Sequence, residues 1–182
     1  LAEQALSSAG PLDVSAHPAR AVDALVASET LRDLGGDRVA FRHDVLREWA
    51  IANLLQAEPA IIERLPLDRS PSAALARGVE LAARFRLERA ADSTPWRSLF
   101  ERLSQEGVHG SWRRAVLLAL VRSELGPELL ARASGVLLTD RAVVLRELIR
   151  IVMAVDVQPA SKIFAAAGVD PAMIPTGLSV PS

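Results

Sequence analysis

A change of periodicity near residue 43 is the most informative feature of the hydrophobic pattern. Residues 38–42 alternate between polar and apolar side chains, which is typical of a half-buried strand. After Asp44 the apolar positions follow helical spacing, at Val45, Leu46, Trp49, Ala52 and Leu55. His43 and Asp44 therefore lie where a predicted strand becomes a predicted helix.

The elements before this step predict a small module over residues 1–66. Gly35-Gly36-Asp37 is a hairpin signal between two strand patterns, and Pro18 suits the first turn of a helix. The predicted elements are helices at 1–8 and 18–28 and strands at 30–34 and 38–42. The order helix, strand, turn, strand, helix is that of the back half of a winged helix.

The chain after Pro66 is predicted to be wholly helical. The helix start signals are Ser70-Pro71, Thr94-Pro95, Ser111 and Gly126-Pro127, with Gly107 as a stop signal. A further helix is predicted over 140–155, and a last short one from Pro159. These helices group into pairs, so residues 67–169 form either a HEAT-like array or an irregular helical bundle, followed by an extended tail over 170–182.

Two sets of side chains on the predicted helices of both parts of the chain carry specific expectations. Trp49, Trp96 and Trp112 each fall on an apolar helical face and are predicted to pack in the core. The polar set recurs every three or four residues and is predicted to be a solvated charge ladder: Arg77, Glu80, Arg84 and Glu88. The fold class expected is therefore mainly α, with one β-hairpin.

Composition narrows the function classes. Half of the 182 residues are apolar, only 4% are aromatic, and the net charge is −1, so no global field recruits nucleic acid or an anionic membrane. There is no Cys, which fits a reducing cytoplasm. No apolar run reaches the roughly 20 residues that span a bilayer. Because the chain begins at Leu1, we expect a piece of a longer cytoplasmic protein.

The sequence holds no recognisable catalytic motif. A phosphate-binding P-loop, a dinucleotide-binding glycine motif and a zinc-protease motif are all absent, and the three His residues lie far apart. We therefore predict no catalytic residue, no metal and no cofactor within this chain.

A winged-helix DNA-binding regulator with a helical sensing or dimerisation domain is the alternative function. Its candidate DNA contacts are Arg20, Arg32 and Arg38. Phosphate contacts need several cations, whereas Arg20 is the one basic residue of its helix and is balanced by Asp23. Nucleic acid is therefore not the favoured partner.

Residues 18–55 resemble the winged-helix domain of STAND-type NTPases, the class that includes NACHT ATPases and plant NB-LRR proteins. The hairpin ends in Phe-x-His-Asp and leads into an amphipathic helix. Where the plant proteins have Met-His-Asp, this chain has Arg42-His43-Asp44, so the first position departs and the other two match.

The resemblance implies a role for both matching residues in nucleotide sensing. In that family the His contacts the β-phosphate of bound ADP and helps to hold the resting state, and the Asp supports the helix start. It further implies ATP or ADP in the parent protein, an upstream nucleotide-binding domain as partner of the module, and a ligand or protein partner for the helical array. Independently of the resemblance, Asp44 or His43 could simply cap the helix.

Overall fold

The computed structural model describes residues 1–7, 10–90, 92–155, 157–159 and 179–181. This described part is mainly helical and contains a small three-stranded antiparallel sheet, which confirms the predicted fold class. The chain consists of two compact units, Leu1–Arg132 and Ala133–Ser182.

The first unit begins with the sheet and two short helices. Its elements are α1 (Ala2–Ser7), β1 (Leu12–Asp13), α2 (Ala19–Ala27), β2 (Leu31–Gly35) and β3 (Arg38–Phe41). Strand β3 lies in the middle and pairs antiparallel with β1 on one side and β2 on the other. The sequence interpretation missed β1, because a strand of two residues is too short to show alternation.

One buried side chain from each strand contributes to a small core under α2. Leu12, Leu31 and Val39 are buried, and apolar side chains of α2 that are themselves half-buried pack against them. The hairpin turn has positive φ at Gly35 and Gly36, which suits the missing side chain of glycine. The turn residues thus form the hairpin, and β2 pairs with β3 with one irregularity between Asp33 and Gly35 before the chain reaches His43.

The rest of the first unit is a helical layer. Its elements are α3 (Asp44–Ala57), a 3-10 helix (Pro59–Arg64), α4 (Ala73–Glu88), α5 (Thr94–Arg102), α6 (Gly110–Leu118) and the start of α7 (Gly126–Leu137). Helix α4 contacts α3, α5 and α6, so it is the central element of this layer. Its apolar stripe is buried as predicted, at Leu75, Val79, Ala82 and Phe85.

Three predicted helix ends are wrong, each by a short distance. Helix α4 is capped by Ser72, whose hydroxyl accepts from the Leu75 N–H at 3.3 Å, and not by Ser70. Helix α6 is capped by the His109 imidazole, which accepts from the N–H of Ser111, the residue predicted as the cap. Helix α5 ends at Arg102, before the predicted stop at Gly107. At the end of α5 the Ser104 hydroxyl donates to the Phe100 carbonyl at 2.6 Å, so in each case a neighbouring side chain satisfies one backbone group of the helix end.

The tryptophans divide into two buried side chains and one that is half-exposed. Trp96 and Trp112 are 0% exposed, as predicted for core residues, and the Trp112 indole N–H donates to the Arg69 carbonyl at 2.8 Å. Trp49 is 44% exposed, so the prediction that it packs in the core is wrong. Its ring contacts Phe85 at a centroid distance of 5.1 Å, while the buried face of α3 presents Ile51 and Leu55 instead.

Glu80 is not part of a solvated charge ladder, which corrects a second prediction. The residue is only 4% exposed and its carboxylate accepts hydrogen bonds from Arg77 on α4 and from Arg122, which follows α6. Burying a carboxylate is costly unless it is paired and hydrogen-bonded. Glu80 therefore links α4 to Arg122, in the segment that follows α6.

The second unit contains the end of α7, then α8 (Thr139–Val155) and a strand pair. Leu148 and Ile151 are the buried residues of α8. Val157–Pro159 pairs antiparallel with Ser179–Pro181. The helix predicted from Pro159 and most of the predicted tail at 170–182 lie outside the described residues. Within the described part, no helix has the length and apolarity to cross a membrane.

Candidate functional site

The strand-to-helix step places His43 at the N-terminal end of α3. Strand β3 ends at Phe41 and α3 begins at Asp44, so His43 occupies the N-cap position with extended backbone, φ −136° and ψ 145°. The imidazole is exposed and makes no capping hydrogen bond. A titratable side chain therefore stands beside the free amide end of a helix of 14 residues without serving that helix.

Asp44 is the first residue of α3 and is also exposed. Within the described residues it accepts no capping hydrogen bond, so the alternative in which Asp44 or His43 simply caps the helix is wrong. A carboxylate in the first turn still interacts favourably with the positive end of the helix dipole. Asp44 thus contributes to local charge rather than to a cap.

A cavity of about 290 Å³ opens beside this step. It is lined by Arg32, Leu34, Ala40, Phe41, Asp44 and Arg47, with Gly10 and Pro11. Two guanidinium groups against one carboxylate leave the cavity with an excess of positive charge. The outer face of the hairpin and the first turn of α3 therefore meet around a space that suits an anion.

Arg47 is the residue of this cavity that the sequence interpretation missed. It is 8% exposed, and its Nη2 donates to the Ala5 carbonyl of α1 at 3.1 Å. Burial lowers the pKa of Arg47, and the charge of Asp44 opposes this shift. Its signal in the sequence was its spacing of four from Ile51 and eight from Leu55, which places it on the inner face of α3.

The three candidate DNA contacts do not share one concave surface. Arg32 lines the cavity at the strand-to-helix step, whereas Arg38 lines a separate cavity with Asp33 and Asp37, next to α2. Arg20 is exposed on α2 and lines neither of them. Carboxylates thus accompany the arginines on the hairpin, which weakens any field directed at a phosphate backbone.

Comparisons with known proteins add no relative. No family model, no curated protein and no solved structure matches this chain. Among the described residues, no group of three or more His, Asp or Glu side chains is arranged to hold a metal ion.

Proposed function

We propose that this chain is a regulatory and interaction segment of a STAND-type signalling ATPase. The strand-to-helix step at His43 contacts the phosphate of a nucleotide held by the upstream domain of the same cytoplasmic protein. The helices after Pro66 bind a ligand or a protein partner and transmit that event to the step. No residue of this chain carries out the hydrolysis.

The single observation that carries this proposal is the imidazole of His43 at the N-terminus of α3, which is exposed and makes no capping hydrogen bond. A helix N-terminus favours an anion through its free N–H groups and its dipole. The neighbouring cavity, which His43 itself does not line, adds the guanidinium of Arg32 and the buried guanidinium of Arg47. These features support a phosphate that approaches from outside the chain, as the resemblance of Arg42-His43-Asp44 implies.

The topology of the module is a secondary support. Helix α2 connects β1 to β2, and the β2–β3 hairpin leads directly into α3. Helix α2 lacks fully buried residues and has Arg20 as its single cation. A helix of this kind fits a protein surface better than a DNA groove, so the DNA-regulator alternative gains no support.

The test is the rate of ADP release from the full-length protein. His43→Ala should accelerate release by about tenfold to more than a hundredfold, because a charge-assisted hydrogen bond to phosphate is worth roughly 1.5–3 kcal/mol. The matched control is His109→Ala, which removes a second N-cap histidine whose imidazole serves its own helix. The control should leave the ADP release rate unchanged.

Two results would contradict the proposal. An ADP release rate that is the same in wild type and His43→Ala would remove the nucleotide-sensing role of His43. Equal acceleration by His43→Ala and His109→Ala would show that general destabilisation, and not a phosphate contact, controls release.

A further inference from the structure

A cleft between α4 and α6 concentrates positive charge far along the chain from His43. Its volume is about 280 Å³. The charged residues that line it are Arg77, Arg114 and Arg122 against one carboxylate, Glu80. The lining therefore carries three guanidinium groups against one carboxylate, and Glu48, which does not line the cleft, lies 3.9 Å from Arg77 and offsets part of this charge.

Glu80 holds two of these arginines in fixed positions. Its carboxylate lines the cleft with 6% of the side chain exposed, and it accepts from Arg77 and, at 3.2 Å, from Arg122. A guanidinium has five N–H donors, so Arg77, which also pairs with Glu48 at 3.9 Å, keeps donors for a further acceptor. Because the side chains are already ordered, a ligand that binds them loses less free energy to side-chain ordering.

Arg114 completes the cleft from the first turns of α6. It is exposed, and no Asp or Glu among the described residues forms an ion pair with it. The Ser70 and Ser111 hydroxyls add neutral donors at the same end and lie 3.4 Å apart. The other lining side chains are small or apolar, at Pro71, Ala73, Ala76, Ala115 and Leu118.

We propose that this cleft binds a phosphate group. A phosphate presents several strong acceptor oxygens, which match planar guanidinium forks and hydroxyl donors better than the two oxygens of a carboxylate do. The volume lies below the roughly 300–1,000 Å³ of pockets that enclose a whole small molecule. The cleft therefore holds the phosphate itself, and the remainder of any ligand lies outside. This site is independent of the function proposed for His43.

The experiment measures binding of inorganic phosphate, O-phosphoserine and glutamate to the full chain by calorimetry, with amide NMR shifts to locate the site. Arg114→Ala should weaken phosphate binding by about tenfold, the scale of one charge-assisted hydrogen bond. The matched control is Arg97→Ala, an exposed arginine of α5 that does not line the cleft. It should leave phosphate affinity within about twofold of wild type.

A second variant blocks phosphate binding without removing an arginine. Ala73 is exposed at the start of α4 and lines the cleft. Ala73→Glu places a carboxylate in the cleft, where the helix dipole favours it, so the fold is retained while phosphate is excluded. We expect this variant to melt no lower than wild type and to lose measurable phosphate binding.

The relative affinities identify the kind of phosphate that the cleft binds, and other outcomes overturn the proposal. Tighter binding of O-phosphoserine than of inorganic phosphate identifies a phosphorylated side chain, and the reverse order identifies free phosphate. Glutamate binding as tight as phosphate binding overturns the proposal. So does the absence of binding at millimolar phosphate, or an affinity that Arg114→Ala and Ala73→Glu leave unchanged.

Discussion

The sheet module (α1 to β3, residues 2–41) and the helical layer of the first unit (α3 to the start of α7) differ in how deeply they bury their side chains. In the sheet, Leu12, Leu31 and Val39 are the buried core, and α2 above them buries no residue fully. Helix α4 alone buries nine residues, from Leu75 to Leu87. Since hydrophobic stabilisation follows buried apolar area, most of the stability of this unit lies in the helical layer.

The two regions also use polar side chains differently. Glu80 in the helical layer is buried and paired with two arginines, so it contributes to the fold. His43, at the edge of the sheet module, is exposed and serves no cap. A buried polar group is normally hydrogen-bonded within the protein, whereas an exposed one is available to a partner. The contrast separates Glu80, which positions other side chains of the fold, from His43, which its own helix does not use.

The largest expected effect compares tryptophans of different burial. Trp112→Ala should lower the free energy of unfolding by about 3–5 kcal/mol, because it removes a fully buried side chain and its hydrogen bond to Arg69. Trp49→Ala should cost only about 1–2 kcal/mol, since nearly half of that side chain is already exposed. Denaturant titration of both variants measures the difference. Equal losses of unfolding free energy in the two variants would contradict the difference in burial between Trp112 and Trp49.

The second expected effect tests whether the sheet is the weaker region. Leu31→Ala should cost about 2–3 kcal/mol, because its half-buried neighbours can close partly around the cavity. The measurement is native-state hydrogen exchange. Amides of β2 and β3 should lose protection while those of α4 keep theirs, since the two regions open separately. Uniform loss of protection across α4 would show that sheet and helices unfold as one unit.

The third expected effect concerns the close approach of α3 and α4. A Cβ at Gly78 would lie 2.4 Å from Ile51 Cγ2 and 2.7 Å from Ile51 Cβ. Gly78→Ala should therefore cost about 1–2 kcal/mol net, because overpacking outweighs the gain in helix propensity. The matched control is Gly110→Ala, where the added Cβ meets no atom within 4 Å. The control should be neutral or stabilising in thermal melts, and a stabilised Gly78→Ala would contradict the tight crossing.

The sequence predicted what local spacing determines and missed what distant chain segments decide. The hairpin and the start of α3 follow from turn residues and a change of period, so His43 was placed correctly at the step. The burial of Glu80 depends on Arg122, which lies 42 residues further along the chain. Similarly, the exposure of Trp49 depends on which face of α3 packs against α4. Periodicity identifies an apolar face without identifying the element that covers it.

The smallest expected effect compares the two N-cap histidines of the described chain segments. His109→Ala removes an imidazole that accepts the Ser111 N–H at 3.2 Å, so it should cost about 1 kcal/mol. His43→Ala removes no capping bond and should change the free energy of unfolding by less than about 0.5 kcal/mol. Denaturant titration of both variants beside wild type, with the same slope required in each, measures this difference. A loss above about 1 kcal/mol in His43→Ala would make that imidazole a structural residue, and the exposed histidine would no longer indicate a partner. A neutral His43→Ala beside a destabilised His109→Ala would show that identical residues at equivalent helix positions contribute differently to the fold, and the ADP release rate then tests what His43 does.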